Sequence, residues 1–158
     1  MKAVIVNLSC LGAEETKYLS GQSAMNRPTV LLADDNPSVI EGVRVVLADK
    51  CEVVATVCDG EGALAEAQRL RPDVLVLDIS MGKLSGIEVA RRLRASGSFC
   101  RIVFLTVQDD PEFVQAAIGA GGLAYVVKAC VETDLLSAIH AVMTGKMFLS
   151  PMLVDQSP

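Results

Sequence analysis

From Thr29 onward, short β-branched or apolar runs alternate with stretches whose apolar residues return at helical spacing. The runs are Val30 to Ala33, Val53 to Val57, Val74 to Leu77, Ile102 to Leu105 and Ala124 to Val127. Between and after them come Val39, Val43, Val46 and Leu47, then Ala63, Leu64, Ala67 and Leu70, then Ile87, Ala90 and Leu93. Phe113, Ala116 and Ala117, followed by Leu135, Leu136, Ile139, Val142 and Met143, continue the series. Strand periods alternating with helical ones are the mark of repeated βα units and a parallel sheet. Helix boundaries agree: Asn36 before Pro37 and Asp110 before Pro111 read as N-cap and first-turn pairs, Ser85 with Glu88 as a capping box, and Pro72 as a stop. Five strands joined by right-handed crossovers predict an α/β, doubly wound five-stranded parallel sheet of the flavodoxin-like (βα)5 kind, with strand order 2-1-3-4-5.

With 158 residues the chain is long enough for one well-buried domain of this kind. Residues 1–26 show no period sustained beyond one apolar run and are expected to be a flexible extension. The domain is expected over 27–146, and 147–158 as a tail or the start of a linker. A hydrophobic share of 51% with only 4% aromatic and no Trp suggests a core of Val, Leu, Ile and Ala, without aromatic platforms for stacking bases. The net charge of -5 repels a phosphate backbone, so no direct nucleic-acid binding is expected of this chain alone. Arg91, Arg92 and Arg94 read as a solvated helix face. Cys10, Cys51, Cys58, Cys100 and Cys130 form an odd set without a C-x-x-C pair, which argues for reduced thiols over a disulfide scaffold or zinc site. The run from Ala3 to Leu8 is too short to span a membrane; no membrane association and a cytoplasmic location are expected.

Ligands of doubly wound folds sit outside the carboxyl ends of the strands. The residues closing the strands are Asp34 and Asp35 after the first, Asp78 after the third, Thr106 after the fourth and Lys128 after the fifth. Taken singly, each has a structural explanation as a cap, a turn residue or a surface cation. Together, three carboxylates, a hydroxyl and an ammonium on one rim are the parts that hold a hard divalent cation and a phosphoryl group.

The segments D-D-N-P, D-I-S-M, L-T-V-Q-D-D and A-Y-V-V-K resemble the receiver domains of two-component response regulators, especially the NarL/FixJ subfamily, over roughly Arg27 to Pro151. The resemblance implies that Asp78 accepts a phosphoryl group from a sensor histidine kinase. It also implies that Asp34, Asp35, Asp78 and the backbone carbonyl of Ser80 bind Mg²⁺, and that Thr106 and Lys128 contact the phosphoryl group. Thr106 and Tyr125 match the family's switch pair, and a homodimer through the fourth helix, fifth strand and fifth helix is the implied response. The domain would catalyse only its own phosphorylation and dephosphorylation. Two departures stand out: Gly82 and Lys83 follow D-I-S-M where the family usually has Pro then Gly, and Ala129 replaces a common Pro or Ser.

His140, the one histidine, falls within the fifth helix and reads as structural. The segment Gly145 to Pro151 resembles the lead into a linker and a helix-turn-helix output domain. Two other readings compete: a receiver-like adaptor working without phosphoryl transfer, and a nucleotide- or flavin-binding enzyme. The second lacks a Gly-rich first turn and has acids where a phosphate cradle needs donors.

Overall fold

The computed structural model describes residues 4–7, 27–107 and 111–154. Its strands are β1 (Val4–Asn7), β2 (Thr29–Ala33), β3 (Glu52–Val57), β4 (Val74–Asp78), β5 (Arg101–Thr106), β6 (Ala124–Val127) and β7 (Lys146–Leu149). The helices are α1 (Pro37–Leu47), α2 (Gly60–Leu70), α3 (Gly86–Ala95), α4 (Pro111–Gly119), α5 (Val131–Met143) and the single-turn α6 (Pro151–Val154). A 3₁₀ turn, Lys128–Cys130, joins β6 to α5.

The sheet order is β1-β7-β6-β5-β4-β2-β3. The five expected strands are β2 to β6, and read from the β3 edge they stand in the order 2-1-3-4-5. Successive side chains in these strands leave opposite faces of the sheet, and both faces are covered. Val30, Leu32, Val74, Val76, Val103, Leu105 and Val126 pack with α1 and α5 through Val43, Leu47, Leu135 and Ile139. Leu31, Ala33, Leu75, Leu77, Phe104 and Tyr125 pack on the other face with Ala63, Ala67, Val89, Leu93 and Ala117 of α2, α3 and α4. Double burial is why the runs read as nearly unbroken apolar segments. Burying each large aliphatic side chain is worth about 1.5–3 kcal/mol, so the two layers dominate the fold's stability.

The caps explain the boundaries. Asn36 Oδ1 accepts from the Ser38 amide at 2.9 Å with Pro37 in the first turn of α1. Ser85 Oγ accepts from the Glu88 amide at 3.2 Å, while the Glu88 carboxylate turns to Arg92 instead of closing the box. Helix α2 is capped by Asp59, which the sequence reading did not single out, and ends at Arg71 in the left-handed region, φ 47°, just before Pro72. The cap expected at Asp110 and the thiol of Cys10 lie outside the described residues.

One expectation is corrected: the sheet has seven described strands instead of five, because the chain continues past α5 into β7, parallel to β6, and Val4–Asn7 adds β1 along β7. Beyond residue 146, Met147–Leu149 continue β7 in the sheet and Pro151–Val154 form α6. Within the expected extension 1–26, Val4–Asn7 pairs antiparallel with Lys146–Leu149 as β1. A β-branched run near the start of the chain was visible, but its partner lies more than a hundred residues away, and local periodicity carries no pairing information.

Candidate functional site

From β2 the chain crosses to β3 on one side and then to β4 on the other. The two connections diverge between β2 and β4, which opens a crevice at their carboxyl ends. Asp34 and Asp35 follow β2 and Asp78 closes β4, so the topology itself brings the carboxylates together. One ligand oxygen from each lies within 4.8 Å of the others. Asp34 and Asp78 are buried and Asp35 is exposed.

Local hydrogen bonds aim each acid. Asp34 Oδ1 accepts from the Asn36 amide at 2.8 Å, an Asx turn that leaves Oδ2 facing the crevice. Asp78 Oδ1 accepts from the Ser80 amide at 3.2 Å. Lys128 reaches across from the end of β6, its Nζ 2.7 Å from Asp34 Oδ2 and 3.3 Å from Asp78 Oδ2. Asp34 Oδ2 is buried and, apart from that ion-pair contact, accepts no well-angled hydrogen bond. A buried carboxylate oxygen with spare lone pairs beside two further carboxylates suits a hard cation that takes oxygen ligands. The donor set therefore fits Mg²⁺.

Charge and burial work against each other here. Burial, then the charge of Asp34, push the Asp78 carboxyl above its ordinary value despite Lys128 and the Ser80 amide. Burial also opposes the Lys128 ammonium, but contact with Asp34 and the charges of both acids outweigh it and hold the ammonium above the usual lysine value.

Thr106 ends β5 one residue beyond Leu105, the partner of Asp78 in the β4–β5 ladder, and is buried. Tyr125 is buried in β6 and paired with Phe104 in the parallel ladder. Ser80 is exposed beside the acids. The loop after Asp78 is pinned by buried Ile79 and Met81 and by the Gly86 amide donating to the Ile79 carbonyl at 2.9 Å. Gly82 stands in the left-handed region at φ 51°, where a Cβ would be strained.

Other candidates stay apart from this crevice. His140 is exposed on α5, and Arg91 and Arg92 pair with Glu88 along α3 as a solvated face. Cys51, Cys58, Cys100 and Cys130 are free. The sequence reading missed Gly86, whose Cβ would lie 2.1 Å from the Asp78 carbonyl oxygen, and the buried Ser150. A signal for Ser150 existed in the Ser-Pro pair, the same cap-then-proline pattern as Asn36 with Pro37. Among the described residues no helix is long and apolar enough to cross a membrane.

Comparison with known proteins extends the picture. A family model described as the response regulator receiver domain matches residues 30–140. The chain is 38% identical over 123 residues to a nitrate/nitrite response regulator protein homolog of Haemophilus influenzae, covering 77% of this chain and 59% of that protein. It is 35% identical over 127 residues to the nitrate/nitrite response regulator protein NarL of Escherichia coli, covering 79% of this chain and 59% of that protein. Among solved structures, the isolated REC domain of RcsB from Salmonella enterica serovar Typhimurium, in the presence of phosphomimetic BeF₃⁻, superposes with a TM-score of 0.75 at 27% identity. That match covers 82% of this chain and 98% of the other. The chain thus spans a little under two thirds of the curated relatives it matches.

Proposed function

The chain belongs to the response-regulator receiver family, NarL-like in its relatives, and on that premise we propose that Asp78 is its phosphoryl acceptor. The family is one of signalling modules in two-component systems, and the described fold is its doubly wound sheet. The observation that carries the site assignment is the convergence of Asp34, Asp35 and Asp78 at the switch point, with Lys128 bridging the two buried acids.

In this reading a carboxylate oxygen of Asp78 attacks the phosphorus of a phosphohistidine in a sensor histidine kinase. The P–N bond breaks as the new O–P bond forms, and the imidazole leaves with its electron pair and takes up a proton. Asp34, Asp35, Asp78 and the Ser80 carbonyl would hold Mg²⁺, which when bound screens the repulsion between the acids and the incoming phosphoryl oxygens. Lys128 donates to a phosphoryl oxygen as charge spreads, and Thr106 donates its hydroxyl to another. Hydrolysis of the acyl phosphate returns the carboxylate, so the domain catalyses only reactions of its own side chain.

A phosphoryl group contacting Thr106 in one state and not the other supplies the differential binding energy a switch needs, with Tyr125 as the aromatic that follows. Self-association is proposed on the side carrying α4, β6 and α5, where Phe113 is partly exposed. Because β7 covers the outer edge of β6, that contact would use the flanking helices instead of a bare strand edge. The receiver unit is proposed over 27–146, now with β7 and α6 packed onto it. A transcriptional output and a cytoplasmic location complete the proposal, with no nucleic-acid binding by this chain alone.

Incubation with acetyl phosphate and Mg²⁺ followed by intact mass measurement tests the assignment. One added phosphoryl group on wild type and none on Asp78→Asn is the expected result. An Asp78→Asn protein that still takes up the group would overturn it, and a wild type that takes up none would favour the adaptor reading.

A further inference from the structure

Ser150 is fully buried at the junction between β7 and α6 and lies outside the acidic crevice. Strand β7 runs parallel to β6, with the Phe148 amide donating to the Leu123 carbonyl and the Ser150 amide to the Tyr125 carbonyl, both at 3.0 Å. The next ladder bond would carry the Val127 amide to the Ser150 carbonyl. That carbonyl has turned away to accept from the Leu153 amide at 2.9 Å in the first turn of α6. The Ser150 hydroxyl takes its place, accepting from the Val127 amide at 3.1 Å and donating to Asp134 Oδ2 at 2.7 Å. Asp134 Oδ1 in turn accepts from Thr133 Oγ1, whose hydroxyl also contacts the Cys130 carbonyl.

Val127 is the residue before Lys128, and it pairs across β5–β6 with Thr106. The backbone that launches the Lys128 side chain is thus clamped on one side by β5 and on the other by a single hydroxyl from the segment leaving the domain. We propose that Ser150 is a positioning residue for Lys128, holding the end of β6 so that the ammonium meets Asp34 and Asp78. Through it, the β7–α6 segment sets the competence of the phosphoryl site. The inference rests on the proposed roles of Asp78 and Lys128. It adds a dependence on residues beyond the expected boundary at 146.

The physical basis is the cost of an unpaired buried amide. Without the hydroxyl, the Val127 amide must shift or recruit a new acceptor, and either moves the turn that carries Lys128. A small misplacement of a group that stabilises transferring charge acts on the rate of transfer, whereas the cation ligands are anchored on β2 and β4 and are unaffected.

The test uses the full chain, with phosphoramidate and Mg²⁺, at a temperature well below every variant's melting point. For Ser150→Ala the saturating rate of phosphorylation should fall roughly tenfold, while the Mg²⁺ dissociation constant does not rise above the wild-type value. In a Lys128→Met background the same substitution should produce no further fall, because its effect runs through that lysine. Asp134→Asn weakens the same clamp and should give a smaller fall that also vanishes in the Lys128→Met background; it replaces Ser150→Ala if that variant does not fold. A wild-type rate in Ser150→Ala, or an equal fall with and without Lys128, would overturn the proposal as a merely structural role. A second arm needs no phosphodonor: urea midpoints of the single and double Ser150 and Lys128 variants in EDTA should be non-additive. Additive midpoints sink the positioning role even if phosphorylation proceeds, whereas absent wild-type phosphorylation with non-additive midpoints sinks the phosphoacceptor reading and leaves the clamp standing.

Discussion

The ammonium of Lys128 lies 2.7 Å from Asp34 Oδ2, nearer than its 3.3 Å approach to Asp78, so the most deeply placed acid of the crevice is neutralised from three strands away. Removing the cation strands Asp34 with its charge buried. Lys128→Met should destabilise the metal-free protein by about 3 kcal/mol, the lower end for breaking a buried pair because the ammonium keeps some solvent contact. Urea unfolding in EDTA measures it. Millimolar Mg²⁺ should restore more stability to this variant than it adds to wild type, since it supplies the missing positive charge; an unchanged midpoint in EDTA would contradict the pairing.

Asp78 carries the opposite sign of effect. Its carboxyl is held above the ordinary value by burial and by Asp34, so ionising it costs stability in the folded, metal-free protein. The protonated form contributes stability that is present below the unfolded Asp value, roughly 3.9, and is lost as pH rises through the raised folded value. Asp78→Asn, which cannot ionise, should therefore gain on wild type progressively as pH is raised from 4 to 7 in EDTA. Thermal melts across that range should show the gap widen; a gap that narrows with pH would mean the charge is stabilised after all. Mg²⁺ at a hundredfold excess over its dissociation constant should stabilise wild type by roughly 2.7 kcal/mol and Asp78→Asn by much less.

Gly86 begins α3 against the backbone of Asp78, where an added Cβ would lie 2.1 Å from the Asp78 carbonyl oxygen. Backbone cannot yield as a side-chain tip can. Gly86→Ala should cost about 1–3 kcal/mol and weaken Mg²⁺ binding, because relieving the clash displaces the acceptor strand's end. Gly42, in the middle of α1 with nothing within 4 Å of its would-be Cβ, is the contrast. Gly42→Ala should stabilise by about 0.5–1 kcal/mol and leave Mg²⁺ binding alone. Denaturant titrations of the two variants, with and without Mg²⁺, check both.

The thiols should separate by burial. Cys58 is exposed, while burial pushes the Cys100 thiol up to about 12. Only the thiolate reacts, so iodoacetamide at pH 8 should label Cys58 quickly and Cys100 slowly, and Cys100 labelling should rise about tenfold per pH unit while the fold holds. Peptide mapping of timed reactions resolves the two. Equal rates at pH 8 would show that the loop carrying Cys100 opens readily.

Much of this was legible in the sequence because it is encoded locally. The short unbroken apolar run Val74 to Leu77 marks a strand buried on both faces, and the near-four spacing of Val39, Val43 and Leu47 is imposed by a helix's own geometry. Asn36 with Pro37 announces a helix start through bonds made within three residues. The acids, Thr106 and Lys128 were found because doubly wound sheets bind at strand ends, so knowing where each strand stops was enough to gather them. What tertiary structure decided was pairing across long separations. That Val4–Asn7 lies along Lys146–Leu149, that Lys128 spends its closest contact on Asp34, and that a hydroxyl at Ser150 completes a ladder broken by the turn into α6 all depend on register and on which lone pairs are left over. Leftover donors and acceptors exist only once the strands are side by side, and no local period records them.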